Sequence, residues 1–283
     1  MTKRLALNTL LAAGIAATLA PVPLTAQDAP AKPAAEDAKL PTPAEVVDRF
    51  IEVTGGKDAY LAHKFRTTSG YFEMPAMGMK GPMVVRQAAP NLMSASIELP
   101  GMGAMTTGFN GTTGWSINPM QGPMIMEGKQ LDQMRREADF FGSVDMLKNF
   151  KESRVVGVAD FKGEACHQLK LTSEDGITNV YFSVDTGLMV GRKSVEASPM
   201  GEVASVMTIS DYKDFGGVLT ATRQTIEAMG QTQVMVTESV TYDEIEADAF
   251  ALPKVIQTLV EAGKGSESTE EPAKDEDPDA AGS

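Results

Sequence analysis

The sequence predicts a mainly β protein, built on a long antiparallel sheet that curls. Apolar and polar residues alternate with a period of two through most of residues 65–126 and 163–245, the spacing of half-buried strands. Short turn signals, such as Asn-Gly at 110–111 and Asp-Gly at 175–176, separate these runs at hairpin spacing. Together the runs give about 11 strands, and that number is too large for one flat open sheet.

Residues 1–26 are predicted to be a secretory signal peptide. A short basic stretch, residues 1–4, precedes the apolar run 5–20, and Ala26 suits a cleavage site. The run is short for a membrane span, and nothing later in the chain is long enough to be one. We therefore expect an exported, periplasmic protein that does not span the membrane.

Two biased segments flank the predicted domain at residues 42–262. Residues 27–41 form a linker rich in Pro and Ala. Residues 263–283 form an acidic tail, which we expect to be disordered because it offers too little apolar surface to offset the entropy of ordering. The body has no basic stripe and the formal net charge is −13, so the sequence disfavours nucleic-acid binding and electrostatic docking to anionic lipid.

A capped helix opens the domain. Thr42 suits the N-cap, Pro43 suits the first helical position, and Glu45 completes a capping box. Apolar residues then recur at helical spacing through residues 46–54, and the Gly-Gly pair at 55–56 ends the helix.

The first run of strands, residues 65–126, is followed by a helical segment at 128–150, which separates it from the second run. Leu131, Met134 and Ala138 mark one apolar face of that segment, with charge opposite, and Gly142 divides it. Strands resume from residue 163. The last element predicted is a closing helix from residue 253.

The single cysteine, Cys166, permits no internal disulfide, so the domain must rely on its hydrophobic core. Cys166 and His167 are adjacent in a predicted strand and therefore point to opposite faces. The only other histidine is His63, which disfavours a Cys-His nucleophile. No G-x-S-x-G, H-E-x-x-H, Walker or C-x-x-C motif is present. The sequence therefore predicts a protein that is not an enzyme and has no cofactor.

Ten of the chain's 18 methionines fall between Met74 and Met126. The Met-x-Met spacings at 77–79 and 124–126 suit a cuprous site, since thioethers are soft ligands. Many of these methionines instead take the apolar parity of their strands, which favours a pliable cavity wall or plain core packing. The copper alternative would use four side chains: Met77, Met79, Met124 and Met126.

The order of elements carries a resemblance to a known family. The capped helix, a strand run with NGTTGW at 110–115, a helical insertion and a second strand run follow one another, and the second run contains DTGLMVGRK, DYKDFGGVLTATR and AFALP. This pattern resembles the periplasmic lipoprotein-carrier superfamily, the LolA-like proteins, over residues 43–258. The resemblance implies an incomplete, strongly curved barrel with helices across its open mouth. It also implies a functional arginine, for which Arg66 and Arg86 are the candidates.

The expected function is that of a periplasmic carrier holding a hydrophobic ligand, either lipoprotein acyl chains or lipid, in a methionine-rich concave groove. The helix from Pro43 and the segment 128–150 would act as lid. An envelope membrane protein is a further expected partner, and a scaffold acting through the sheet edge or the acidic tail is a second alternative to the carrier. The predicted groove residues are Phe72, Met74, Met79, Met83, Met93, Ile97, Met105, Phe109, Trp115, Ile117, Met124 and Met126.

Overall fold

The computed structural model describes residues 39–174, 176–198 and 201–267. The predicted signal peptide at 1–26, the linker up to residue 38 and the tail beyond residue 267 lie outside the described residues. Within the described part, thirteen antiparallel strands form one sheet, and four α-helices accompany it. The predicted fold class is confirmed.

The elements are numbered in chain order. The strands are β1 Phe65–Met74, β2 Met79–Ala88, β3 Leu92–Leu99, β4 Gly103–Asn110, β5 Gly114–Asn118, β6 Gly122–Met126, β7 Glu152–Phe161, β8 Glu164–Thr172, β9 Gly176–Ser183, β10 Met189–Ser198, β11 Gly201–Phe215, β12 Val218–Ala228 and β13 Gln231–Thr241. The helices are α1 Pro43–Val53, α2 Lys57–Leu61, α3 Gly128–Ala138 and α4 Lys254–Glu267, with short 3₁₀ turns at Pro75–Met77, Met146–Asn149 and Ala247–Phe250. None of these helices is both long and apolar enough to cross a membrane.

The sheet joins two hairpin-linked halves through one long-range pairing. Strands β1 to β6 form the first half and β7 to β13 form the second, and β1 pairs with β13 where they meet. The order is β6-β5-β4-β3-β2-β1-β13-β12-β11-β10-β9-β8-β7, so β6 and β7 are the edges and the sheet is not closed. A register shift between Val155 and Gly157 breaks the alternation of β7, a strand that the sequence pattern did not reveal.

The sheet curves strongly. Gln87 on β2 and Thr178 on β9 line one pocket, although five strands lie between β2 and β9 in the sheet. At about 4.8 Å per strand spacing, a flat sheet would place these two strands about 29 Å apart. We call the face that carries Gln87 and Thr178 the inner face, and the opposite one the outer face.

Helix α1 packs on the inner face of the second half. Its capping box is formed as predicted: the Thr42 hydroxyl accepts from the Glu45 N–H at 3.2 Å, and the Glu45 carboxylate accepts from the Thr42 N–H at 2.6 Å. The buried cluster beneath it, the α1 cluster, consists of Val46, Val47, Phe50, Ile51, Val155, Leu169, Leu171, Val180 and Phe182.

Helix α3 covers the first half. It begins the lid segment, residues 128–150, and contacts β4 and β5. Two of its side chains, Met134 and Ala138, are buried in what we call the lid cluster, together with Met93, Phe109 and Met126. The helix therefore closes the inner face at the end opposite to α1.

Candidate functional site

A pocket of about 310 Å³ lies on the inner face, between the sheet and the lid segment. Its volume is at the lower end of the range of roughly 300–1,000 Å³ that small-molecule sites occupy. The first half of the sheet contributes Arg66 and Gln87, and the second half contributes Thr178 and Arg192. Side chains between residues 133 and 150 form the opposite wall. The pocket thus exists because the sheet curls and the lid segment bridges its two halves.

Arg66 forms part of the wall contributed by β1. Its Nε donates to the side-chain oxygen of Gln87 at 3.1 Å, and its Nη2 donates to the same oxygen. Gln87 in turn donates to the backbone oxygen of Glu137 in α3 at 3.3 Å, which ties the sheet to the lid. Burial lowers the pKa of Arg66, but an arginine still carries its charge at neutral pH. A partly buried cation therefore lies at the pocket.

The pocket is rich in charge. The charged side chains that line it are Arg66, Arg136, Arg192, Glu137 and Asp139. Both carboxylates already have partners in the lid segment: Glu137 accepts from the Gln133 amide at 2.9 Å, and Asp139 accepts from the Asn149 amide at 3.3 Å. The carboxylates thus help to hold the lid segment together.

One part of the wall is apolar. Phe140, Met146 and Phe150 line the pocket beside the charged groups. The Phe140 ring lies 5.7 Å from the Arg66 guanidinium carbon, within cation–π distance. Gln87 pairs with Met93 of β3, so the pocket adjoins the lid cluster. The site can therefore offer polar and apolar contacts to one ligand.

The structure places ten of the twelve predicted groove residues on the inner face. Strand pairing gives that face to Phe72, Met74, Met79, Met83, Met93, Ile97, Met105, Phe109, Met124 and Met126. The other two, Trp115 and Ile117, pair with Gly108 and Thr106 and so share the outer face. The twelve residues are therefore not brought together on a single surface.

Most of the inner-face residues are packed side chains. Met93, Phe109 and Met126 belong to the lid cluster. The neighbouring sheet cluster consists of Phe72, Met74, Met83, Ile97, Leu99 and Met105, with Met79 packed against it. None of the twelve is among the described residues that line the pocket. Sequence reasoning missed Arg192, although its inner-face position follows from alternation with the apolar residues of neighbouring strands.

The four methionines of the copper alternative do not meet. Met77 lies in an exposed turn and Met79 packs with the sheet cluster, whereas Met126 packs in the lid cluster. Strands β2 and β6 are four strand spacings apart, about 19 Å along the sheet. Among the described residues, no three His, Cys, Asp or Glu side chains come together in a way that could hold a metal ion.

Cys166 and His167 lie on opposite faces, as predicted. Cys166 is fully buried beside Phe161 and Tyr181, and this burial raises the pKa of its thiol to about 11, so the thiol is a poor nucleophile at neutral pH. His167 pairs with Phe182, and burial lowers the pKa of its imidazole. Its Nδ1 is buried without a hydrogen-bond partner in the structure described.

Comparison with solved structures agrees with this architecture. A LolA superfamily protein from Nitrosomonas europaea matches 75% of this chain and 99% of its own length, at 12% identity and a TM-score of 0.52. The chain has a LolA-like fold. A DUF1329 family protein from Desulfovibrio piger matches 73% of this chain and 96% of its own, at 10% identity and a TM-score of 0.50. No family model and no curated protein matches the sequence.

Within the LolA-like sheet, the two candidate arginines take different faces. Arg66 pairs with Gln87 and lines the pocket, whereas Arg86 pairs with Thr67 and faces outward. Only Arg66 is therefore placed to touch a ligand on the inner face.

Proposed function

We propose that this chain is a periplasmic binding protein that holds a hydrophobic ligand on the inner face of its LolA-like sheet, and that it acts as a carrier, not as an enzyme. The observation that supports this function is the position of the pocket, between the curved sheet and the lid segment and next to the lid cluster. The ligand would be an acyl chain, of a lipoprotein or of a free lipid. The predicted signal peptide supports the periplasmic location.

The lid helix is anchored weakly enough to be displaced. It buries Met134 and Ala138, whereas its other side chains are exposed or partly exposed. Burying one methionine side chain contributes about 1.5–3 kcal/mol. An acyl chain of twelve methylenes contributes on the order of 10 kcal/mol before the costs of binding. A ligand could therefore take the place of α3 against the lid cluster.

The methionines suit such an exchange. Met93 and Met126 lie under α3, and methionine side chains adapt to contacts of varied shape because they are unbranched and polarizable. When α3 moves away, these side chains would form a wall continuous with the pocket. An envelope membrane protein that receives the ligand would complete the proposed cycle of uptake and handover.

Two measurements test the function. Native mass spectrometry of the protein purified from its own periplasm should reveal a bound lipid mass. Titration with the neutral apolar dye N-phenyl-1-naphthylamine should give saturable fluorescence, which Met93→Gln should weaken at least tenfold. The matched control is Ile177→Gln, at a partly exposed apolar site on the outer face. A protein that carries no lipid and binds no dye would rule the function out.

A further inference from the structure

Two of the arginines that line the pocket, Arg66 and Arg192, form no ion pair with any described residue. The Arg66 guanidinium donates to an amide oxygen, which is neutral, and it forms no ion pair with any described residue. Arg192 makes no ion pair or side-chain hydrogen bond with the described residues. Within the described part of the chain, the arginines on the two sheet walls of the pocket therefore both lack an anionic partner.

Retaining such a charge is unfavourable for the fold. A guanidinium taken out of water loses hydration that only an anion or several hydrogen bonds can replace. The lowered pKa of Arg66, which burial causes, is the sign of this penalty. Partly buried charges without an ion-pair partner are common where a protein binds the opposite charge, so the two arginines mark a place for an anion.

The geometry also suits an apolar chain next to that anion. Arg66 on β1 and Arg192 on β10 would be about 19 Å apart along a flat sheet, but the curl brings both to one pocket. Phe140 and Phe150 line the same pocket from the lid side. Gln87, which lines the pocket, pairs with Met93 of the lid cluster, so the buried apolar side chains of that cluster lie next to the pocket.

We propose that the preferred ligand is an amphiphile with an anionic oxyanion headgroup, either a carboxylate or a phosphodiester, held between Arg66 and Arg192. Its apolar chain would lie against Phe140 and Phe150 and run toward the lid cluster. The planar guanidinium groups can form paired hydrogen bonds with such a headgroup. This inference rests on the function proposed above and adds the chemical class of the ligand.

The test compares two ligands of equal chain length in the full exported protein. Isothermal titration with laurate and with dodecanol separates the headgroup from the twelve-carbon chain. Laurate should bind at least tenfold more tightly than dodecanol. Arg66→Gln and Arg192→Gln should each weaken laurate binding about tenfold or more, because a hydrogen bond to a charged group is lost, and should weaken dodecanol binding much less.

Arg86→Gln is the matched control. It removes the same charge from the neighbouring strand, but on the outer face, and should change neither affinity. If Arg66→Gln does not fold, Arg192→Gln decides the test alone, because Arg192 takes no part in the Arg66–Gln87 contact. Equal binding of laurate and dodecanol, or an equal loss with Arg86→Gln, would overturn the proposal.

Two further ligands identify the source of the oxyanion. If dihexanoyl phosphatidylglycerol binds and its binding depends on Arg66, the site accepts phosphodiester headgroups as well as carboxylates. Inorganic phosphate should bind far more weakly than either amphiphile. Equal affinity would contradict the claim that the ligand needs an apolar chain as well as an anionic headgroup. If dodecanol and the neutral dye bind but laurate binds no more tightly than dodecanol, the proposed binding of hydrophobic ligands is supported and the proposed anionic headgroup is contradicted. If laurate binds through Arg66 while dodecanol and the dye do not bind, the proposed function as a carrier of hydrophobic ligands is contradicted.

Discussion

Two helices lie on the same face of one sheet, and they are held in different ways. Helix α1 has a complete capping box and buries four large apolar side chains against the second half of the sheet. Helix α3 has no side-chain cap and buries Met134 and Ala138 against the first half. The strands differ as well, since α1 rests on branched and aromatic residues and α3 rests largely on methionine.

The two helices therefore cover parts of the inner face that differ in rigidity. Rotamers of branched and aromatic side chains are restricted, so the α1 cluster holds one packing arrangement. Methionine has more rotatable bonds and repacks readily. We interpret α1 as the permanent closure of the curved sheet and α3 as its movable cover.

The largest expected effect is on the free energy of unfolding, when the packing of α1 is disturbed. Phe50→Ala should lower the free energy of unfolding by about 3–5 kcal/mol, because it leaves a cavity in the α1 cluster. The Phe50 ring lies 5.6 Å from that of Phe182, in an edge-to-face contact that would also be lost. Urea denaturation measures the change, and a loss below about 1 kcal/mol would contradict the role assigned to α1.

Removing the equivalent anchor of α3 should cost less. Met134→Ala should lower the free energy of unfolding by about 2 kcal/mol, the lower end for such changes, because a flexible neighbourhood can collapse into the space. Stopped-flow mixing with the neutral dye should show faster association, since the cover opens more often. A loss as large as that of Phe50→Ala, with unchanged association, would make α3 a second permanent closure.

The capping box should contribute a smaller amount. Thr42→Ala should cost about 1 kcal/mol in urea denaturation, and it should leave dye association unchanged because α1 does not cover the lid cluster. The Thr42 backbone N–H and, second, the Thr42 side chain lower the pKa of Glu45; because alanine keeps the N–H, the substitution should move that pKa only part of the way up toward its ordinary value of 4.5. Carboxyl chemical shifts measured by NMR titration report this change, and a Glu45 pKa at its ordinary value in the parent protein would show that the box is not formed in solution.

The smallest effect is a dependence of stability on pH near the α1 cluster. His167 lies beside Phe182, and burial lowers the pKa of its imidazole below the ordinary 6.5. As the pH falls below about 6.5, the unfolded chain takes up a proton at His167 before the folded chain does, so the folded state loses stability. Above about pH 6.5, neutral His167 makes its full contribution to the stability of the folded state.

His167→Gln should remove this dependence. Thermal midpoints between pH 5 and 7, compared with those of the parent protein, should fall less steeply toward acid. An unchanged slope would show that the imidazole titrates alike in the folded and unfolded chains, and the effect of burial would then be absent.

Local patterns predicted helix α1 and most strands. The capping box at Thr42 fixed the start of α1, because the side chains that make it are three residues apart. Alternation assigned Met93 and Ile97 to the same face, as the pairing of β3 with its neighbours shows. In these places a residue's surroundings depend on its near neighbours in the chain.

Alternation failed where a loop resets it. The pairing of Phe109 with Gly114 puts Trp115 opposite Gly108, on the outer face, and the apolar character of Trp115 gave no sign of this. The indole ring lies over Gly108, where a β-carbon would come within 2.6 Å of a ring atom. The pocket could not be predicted from the sequence for another reason. Arg66 and Arg192 are distant in sequence, and they line the same pocket only because the whole sheet curls.

The pairing of β1 with β13 has a consequence for how the chain folds while it is being made. These strands come from the beginning and the end of the domain, so their contact closes a very long loop, and we expect it to be slow to form. A chain that is still being synthesised lacks its final strand. We expect β1 to keep one edge unpaired until the last hairpin is available, so the two halves of the sheet join only when synthesis is nearly complete.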